Sequence, residues 1–138
     1  MDLKSLTYTS LAKLDLSAGE LEAIHRTARD LNALDGITGL LVFNGTHFLQ
    51  IIEGAEAAID ELVERLRRDR RHSAIEVRHE RRVEQRSFPG WSMELVRVST
   101  DQLEAKETIA TRIPASISND VRDRLLRMTE GISGTVHL

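Results

Sequence analysis

Three polar side chains stand in this sequence where packing alone favours apolar residues. Tyr8 ends an apolar strand-like run, Asn32 lies at the edge of the apolar stripe of a predicted helix, and Gln50 interrupts the hydrophobic run Phe48–Ile52. A buried amide or phenol without a hydrogen-bond partner costs about 1–3 kcal/mol. Three such groups around one small core therefore indicate a polar ligand to which all of them hydrogen-bond.

The three residue types suit a flat heterocyclic ligand. A tyrosine such as Tyr8 can donate a hydrogen bond and, to a strong oxidant, an electron and a proton. Gln50 carries a donor and an acceptor on one rotatable amide, so it can reverse a hydrogen-bond network by reorienting. Asn32 can pair with an imide-like edge. The residues by themselves leave open the alternative of three ordinary polar side chains with partners inside the protein.

A strand and a helix must position the first two of these groups. The two-residue period of strands predicts a strand over Leu3–Ser10 with Tyr8 and Ser10 on one face. Ser17–Glu20 has the spacing of a capping box, and Gly36 ends the helix that begins there. The helix places Asn32 beside its inward stripe of leucine, isoleucine and alanine residues.

The third group lies on the second strand of a predicted hairpin. Strands are predicted over Ile37–Phe43 and His47–Glu53, joined by an Asn44-Gly45 turn. We expect Gly54 to break the second of these strands, and a second helix to cover Ala55–Arg68. Within the strand, Gln50 shares its face with Phe48 and Ile52.

Two further strands complete the predicted sheet. They cover Ile75–Arg82 and Trp91–Val98, with a turn at Phe88-Pro89-Gly90 between them. The order β-α-β-β-α-β matches a ferredoxin-like α+β fold, a four-stranded sheet with two helices on one face, and the last strand is an added fifth. Trp91 and Met93 are expected to be core residues on that added strand.

The character of the chain changes after residue 98. Scattered apolar residues and Pro114 give no predicted element over 101–117, whereas Ser118–Met128 is typical of a short amphipathic helix. Gly131–Leu138 is predicted to be irregular. We therefore divide the chain into a ligand-binding domain, residues 1–98, and a helical C-terminal extension, residues 99–138, within one compact unit.

Composition narrows the classes of protein. A chain of 138 residues with 41% hydrophobic and 30% charged residues is typical of one globular domain. Its apolar runs are too short for a membrane span, and its first residues resemble no secretory signal, so we expect a cytoplasmic location. The absence of cysteine excludes disulfides, thiolate metal sites and any cysteinyl adduct to a cofactor. The net charge of −3 makes nucleic acid an unlikely partner.

The basic run Arg65–His72 has two interpretations. Positive charge at a helix C-terminus offsets the helix dipole; alternatively, Arg71 and His72 contact the phosphates or hydroxyls of a bound nucleotide. A DNA-binding role is disfavoured because the run is short and lacks interleaved aromatic residues. Asp69 and His72 have i,i+3 spacing, but a third ligand is missing from the pattern, so no metal site is predicted.

Several motifs together resemble the BLUF domain, the family of blue-light sensors that use FAD. The resemblance runs in order over about residues 3–98. The specific pieces are Leu6-Thr7-Tyr8-Thr9-Ser10, Ala28-Arg29-Asp30-Leu31-Asn32, Gly36-Ile37-Thr38-Gly39-Leu40-Leu41, Phe48-Leu49-Gln50-Ile51-Ile52-Glu53-Gly54, Asp69-Arg70-Arg71-His72, and Arg86-Ser87-Phe88-Pro89-Gly90-Trp91-Ser92-Met93.

The resemblance implies roles for individual residues. Tyr8 matches the tyrosine that donates an electron and a proton to the excited flavin, and Gln50 matches the glutamine that hydrogen-bonds the flavin and rearranges after excitation. Asn32 matches the asparagine that holds the flavin's carbonyl edge. Further implied cofactor contacts are Ser10, Ile24, Ala28, Arg71 and His72, and the implied signal relay is Trp91 and Met93. Leu31 departs from the family, since some members have a ring-stacking histidine or arginine there.

The resemblance also implies a function. It predicts a blue-light photoreceptor that binds FAD non-covalently, with FMN or riboflavin as substitutes, and that has no turnover chemistry of its own. The signal would leave through a partner protein or a changed homo-oligomer. The alternatives are a ligand-binding module or an enzyme on the same ferredoxin-like fold, since a fold does not imply a function.

Overall fold

Five strands and four helices form the described part of the chain. The structure, a computed structural model, describes residues 3–99, 101–115 and 117–134. In chain order the elements are β1 (Leu3–Ala12), α1 (Ala18–Asp35), β2 (Thr38–Phe43), β3 (His47–Ala55), α2 (Glu56–Arg68), β4 (His72–Val83), β5 (Glu94–Arg97), α3 (Gln102–Arg112) and α4 (Asn119–Gly134).

The strands form one mixed sheet in the order β4-β1-β3-β2-β5. β1 pairs antiparallel with β3 and with β4, and β2 pairs antiparallel with β3. β5 joins the sheet edge parallel to β2. The first four strands with α1 and α2 have the ferredoxin-like order, and the added fifth strand is present, so the predicted α+β fold is confirmed.

Two apolar clusters lie on opposite faces of the sheet. The alternation along β3 sends Phe48 and Ile52 into the cluster beneath α1 and α2, whereas Leu49 and Ile51 enter the cluster beneath α3 and α4. All four side chains are at most 4% exposed. A strand buried on both faces explains why the run around Gln50 is almost continuously hydrophobic.

The predicted capping signals of α1 are present at both ends. The Ser17 side chain accepts from the Glu20 amide, and the Glu20 carboxylate accepts from the Ser17 amide, which completes the capping box. Gly36 ends the helix in the left-handed region at φ 69°. These local signals set the phase of α1 and therefore the direction in which Asn32 points.

The expectation that Gly54 breaks its strand is wrong. β3 continues to Ala55, and Gly54 pairs with Lys4 of β1. A Cβ at Gly54 would lie 3.2 Å from Cγ1 of Ile37 and 3.3 Å from the carbonyl oxygen of Gly36. The glycine therefore marks a close approach between β3 and the chain that follows α1, which is a usual reason for glycine within a strand.

Trp91 and Met93 do not lie on the fifth strand, contrary to the prediction. β5 begins at Glu94, and its ladder to β2 begins where Glu94 pairs with Leu40. The Trp91 amide instead donates to the carbonyl oxygen of Phe88, over 3.1 Å, and closes the turn. The chain from Arg86 to Met93, here called the Met93 segment, is thus irregular, and alternation could not predict where its side chains point.

The C-terminal extension contains more helix than expected. α3 was not predicted; its N-cap is Asp101, whose side chain accepts from the Glu104 amide, and Pro114 follows the helix end rather than interrupting it. α4 continues past the predicted end at Met128 because its apolar stripe extends to the buried Ile132. Residues 135–138 of the predicted irregular tail lie outside the described residues.

The helices of the described ranges differ from membrane-spanning helices in length or in composition. Among these residues, no helix combines the length and the apolar composition needed to cross a bilayer.

Candidate functional site

A cleft of about 670 Å³, including the solvent at its mouth, opens between α1 and α2 above the centre of the sheet. Apolar side chains from both helices form its walls, the three central strands β1, β3 and β2 form its floor, and charged residues gather at one end. Its lining consists of Tyr8, Ile24, Thr27, Ala28, Leu31, Asn32, Leu41, Phe48, Gln50, Leu62, Arg65, Leu66, Asp69, Arg71 and His72.

Tyr8 and Gln50 face each other directly across β1 and β3. The Tyr8 hydroxyl donates to Oε1 of Gln50 in a very short contact, and Nε2 of Gln50 donates to Sδ of Met93 over 3.2 Å. The three side chains are at most 3% exposed. Burial, with a smaller contribution from the Asp69 charge, raises the pKa of Tyr8 well above its usual value, so the phenol keeps its proton.

Asn32 presents a buried amide that lacks a partner within the described residues. Its side chain is 0% exposed, and neither Oδ1 nor Nδ2 accepts or donates a hydrogen bond among them. Its backbone carbonyl accepts from the Ile37 amide over 2.8 Å, which fixes the residue at the end of α1. Two orphaned polar atoms in a cleft wall fit a ligand with a donor and an acceptor on one edge.

Ser10 and His72 meet at a bulge between β1 and β4. Ser10 Oγ lies 2.9 Å from Nδ1 of His72, and the pairing of the two strands shifts register between Thr9 and Leu11. Opposite this shift, Ala74 adopts φ 51°, a left-handed conformation that is rare outside glycine. The bulge turns His72 into the cleft wall, where burial lowers its pKa.

Two arginines of the basic run that line the cleft pair with acidic neighbours. Arg71 binds Asp69 through Nε and a terminal nitrogen, the latter over 2.6 Å, and this pairing lowers the pKa of the Asp69 carboxyl. Arg65 pairs with Asp35 across the cleft mouth. These two ion pairs reduce the positive charge that Arg65 and Arg71 could offer to a phosphate.

Trp91 and Met93 lie on different faces of the sheet. Trp91 packs at a ring-centroid distance of 5.5 Å from Phe88, in the cluster beneath α3 and α4. Met93 is 1% exposed and belongs to the cluster beneath α1 and α2. These two neighbours in the chain thus contact the clusters on opposite faces of the sheet.

The structure brings seven of the predicted site residues to the cleft wall. The other three predicted residues lie outside the lining. Ser10 contacts the lining residue His72, and Met93 accepts a hydrogen bond from the lining residue Gln50. Trp91 is linked to the cleft through the Met93 segment. Sequence reasoning missed Leu62 and Leu66, whose i,i+4 spacing is typical of ordinary core residues. It also missed a 2.8 Å contact from His25 to the Met93 carbonyl, for which the sequence holds no signal.

Across residues 3–99, 101–115 and 117–134, histidine, aspartate and glutamate side chains form no group of three or more with the geometry of a metal site.

The chain is similar to known light-sensing proteins. The family model for sensors of blue light using FAD (BLUF) matches residues 3–94. The beta subunit of photoactivated adenylate cyclase from Euglena gracilis is 37% identical over 92 residues, which is 66% of this chain and 11% of that protein. The solved structure of BlrP1 BLUF superposes on this chain with a TM-score of 0.81 at 27% sequence identity. The superposition covers 100% of this chain and 94% of the BlrP1 chain. The dark-state structure of BlrB has a TM-score of 0.73 at 33% identity and covers 97% of each chain.

The fold, the cleft and these likenesses define a flavin-binding sensor domain, and the chain belongs to the BLUF family. It is a blue-light photoreceptor domain, and its cofactor is FAD. The cleft fits that cofactor, because the Asn32 amide, which has no partner among the described residues, lines a largely apolar slot that also contains Arg65 and Arg71. The chain spans about a tenth of the length of the curated cyclase relatives, so their activities belong to those longer proteins.

Proposed function

We propose that Tyr8 and Gln50 carry the photochemical switch of this sensor, and that Met93 is its first relay. The observation that carries the proposal is the unbroken hydrogen-bond chain from the Tyr8 hydroxyl through the Gln50 amide to the Met93 sulfur, beside the cleft. When bound, FAD supplies the absorption of blue light and a strongly oxidising excited state.

Tyr8 is suited to give up an electron and a proton together. Its phenol is fully buried, and its raised pKa keeps it protonated in the dark. Its hydrogen already points at Oε1 of Gln50. An electron given up to the excited flavin would make the phenol strongly acidic, so its proton would move along this existing bond to the amide oxygen of Gln50.

Gln50 converts that proton movement into a change of contacts. Its amide has different groups on its two ends, so reorientation exchanges a donor for an acceptor at each partner. After reorientation Nε2 no longer donates to Met93, and the Met93 segment loses one of its contacts with the cleft floor. Light thereby biases a local two-state network.

Asn32, Arg71 and the apolar walls hold the cofactor in this proposal. The Asn32 amide pairs with the polar edge of the ring, and Ile24 and Ala28 contact the ring from α1. Arg71 and His72 lie at the charged end of the cleft, where the ribityl and phosphate groups would extend. Ser10 orients His72 through the bond between Oγ and Nδ1.

We further propose that the signal leaves through the C-terminal extension, residues 99–138, to a partner protein or to a second copy of the chain in the cytoplasm. The helices of the extension, α3 and α4, pack on the sheet face against which Trp91 also lies. A shift of the Met93 segment would therefore reach these helices through Trp91. In this reading the domain senses light without a turnover reaction of its own.

The test is an absorption spectrum of the purified chain, loaded with FAD, before and after blue light. We expect a flavin spectrum with a small red shift that reverses in the dark. A bound flavin whose spectrum does not move would contradict the proposed switch. A chain that fails to take up added FAD would contradict the assignment of the cleft.

A further inference from the structure

His25 lies on α1, beside the cleft-lining Ile24, and contacts the Met93 segment. Its Nε2 is 2.8 Å from the backbone carbonyl oxygen of Met93. A carbonyl oxygen only accepts hydrogen bonds, so Nε2 of His25 must be the donor. The imidazole therefore binds the backbone of the same residue whose sulfur accepts from Gln50.

The start of the Met93 segment is held by a buried carboxylate. Glu53 is 1% exposed and accepts from the backbone amides of Ser87 and Phe88 over 2.8 and 2.6 Å. Further along, the amide of Gly39 donates to the carbonyl oxygen of Trp91 over 2.9 Å. These contacts hold the segment upstream of the relay methionine.

Met93 itself needs a separate anchor to keep its sulfur in place. Its side chain has three rotatable bonds, and its thioether is a weak acceptor, so the bond from Gln50 alone orients it poorly. β5 begins one residue later, at Glu94. The His25 side chain therefore binds the backbone at the point where the Met93 side chain joins the cluster beneath α1 and α2.

We propose that His25 is a positioning residue that holds the sulfur of Met93 against the Gln50 amide in the dark. The inference rests on the proposed function, because it gives Met93 its place in the switch. His25 acts through the backbone and lies outside the cleft lining. It joins α1, which forms one wall of the cleft, to the segment that carries the signal out.

The first test reads the position of Met93 directly. The chain has three methionines, so methyl-labelled methionine gives a simple NMR spectrum in the FAD-loaded dark protein, and His25→Ala is compared with Arg26→Ala, an exposed neighbour on the same helix. We expect the Met93 methyl signal to shift in His25→Ala and to stay in place in Arg26→Ala, with Met128 unchanged in both. An unmoved Met93 signal in His25→Ala would overturn the proposal.

The second test reads the photocycle. Loss of one hydrogen bond of ordinary strength should slow the dark recovery of His25→Ala by about 2- to 10-fold, because the returning Met93 lacks its backbone anchor. His25→Gln keeps a side-chain donor and should recover closer to the rate of the unmodified chain. Equal recovery of His25→Ala and the unmodified chain, or equal slowing in both variants, would overturn the role of the donor.

The two tests separate this inference from the proposed function. If the unmodified chain binds FAD but shows no red shift, the proposed switch fails, while the dark-state NMR comparison still decides whether His25 places Met93. If the red shift is present and the Met93 signal is insensitive to His25, the switch stands and the positioning role fails.

Discussion

Gln50 donates its Nε2–H to the sulfur of Met93 across 3.2 Å. Oε1 of the same amide accepts from the Tyr8 hydroxyl. Because both the oxygen and the nitrogen of the amide have partners, the orientation of Gln50 is defined. A turn of the amide would bring Nε2 toward the Tyr8 donor and the carbonyl toward a sulfur that has no hydrogen to give. The two orientations therefore differ in their contacts with both partners, which is what a switch requires.

Removing the Tyr8 hydroxyl should stop the photochemistry and leave binding intact. Tyr8→Phe keeps the ring that packs in the floor of the cleft but has no transferable proton, and the chain contains no other tyrosine to replace it. We expect FAD to remain bound and the light-induced red shift to disappear. A normal red shift in this variant, measured by absorption spectroscopy, would remove Tyr8 from the mechanism.

Removing the Gln50 amide should also leave a coloured but inactive protein. Gln50→Leu keeps the volume of the side chain in a site that is 3% exposed, so we expect the fold and FAD binding to survive. The variant cannot exchange donor and acceptor, and it should form no red-shifted state. The spectra are recorded beside those of Tyr8→Phe, and a red shift of normal size would contradict the network.

Replacing Asn32 should have opposite effects on stability and on binding. In the flavin-free chain its two polar atoms have no partner among the described residues, and each such atom costs about 1–3 kcal/mol. Asn32→Leu should therefore raise the melting temperature of the flavin-free chain while weakening FAD binding about tenfold or more. Calorimetry of the flavin-free protein and FAD titration measure the two effects, and tighter FAD binding would contradict the assigned contact.

The bulge beside His72 should tolerate glycine. Ala74 has φ 51°, where a residue with a Cβ is disfavoured by about 1 kcal/mol and glycine is not. We expect Ala74→Gly to leave the free energy of unfolding unchanged or to raise it by up to about 1 kcal/mol. The matched control is Ala23→Gly inside α1, which should lower it by about 1 kcal/mol. Urea unfolding of both variants checks the difference in sign.

The stability of the chain should fall as the pH drops from 7 to 5. Burial lowers the pKa of His72 below its usual 6.5, so in this range the unfolded chain binds more protons than the folded one. The contribution of His72 is complete above pH 6.5 and is lost as the pH falls below that value. His72→Gln should flatten the pH dependence of Tm without abolishing it, because burial also lowers the pKa of His47 and His79. An unchanged slope would contradict the burial of His72.

Much of the fold could be predicted because its signals are local. The capping box at Ser17 and the glycine at 36 bound α1, and alternation along β3 assigns Gln50 to the same face as Phe48. Gly54 shows the limit of such reasoning, since a glycine that permits close packing has the same sequence signature as one that ends a strand. α3 was missed because its apolar residues are few and acquire their role by packing on the sheet.

The sequence by itself determined which residues could form the switch. The residue types define which groups can donate, accept or reorient, and the two-residue period of a strand defines which side chains share a face. It could not determine that Tyr8 lies directly opposite Gln50, since strand register depends on pairing between segments 42 residues apart. Only the tertiary structure decided that Met93 packs beneath α1 and α2 whereas Trp91 packs beneath α3 and α4. The segment that carries them is irregular, and its path is set by contacts from Glu53 and His25, which are distant in the chain and have no local signature.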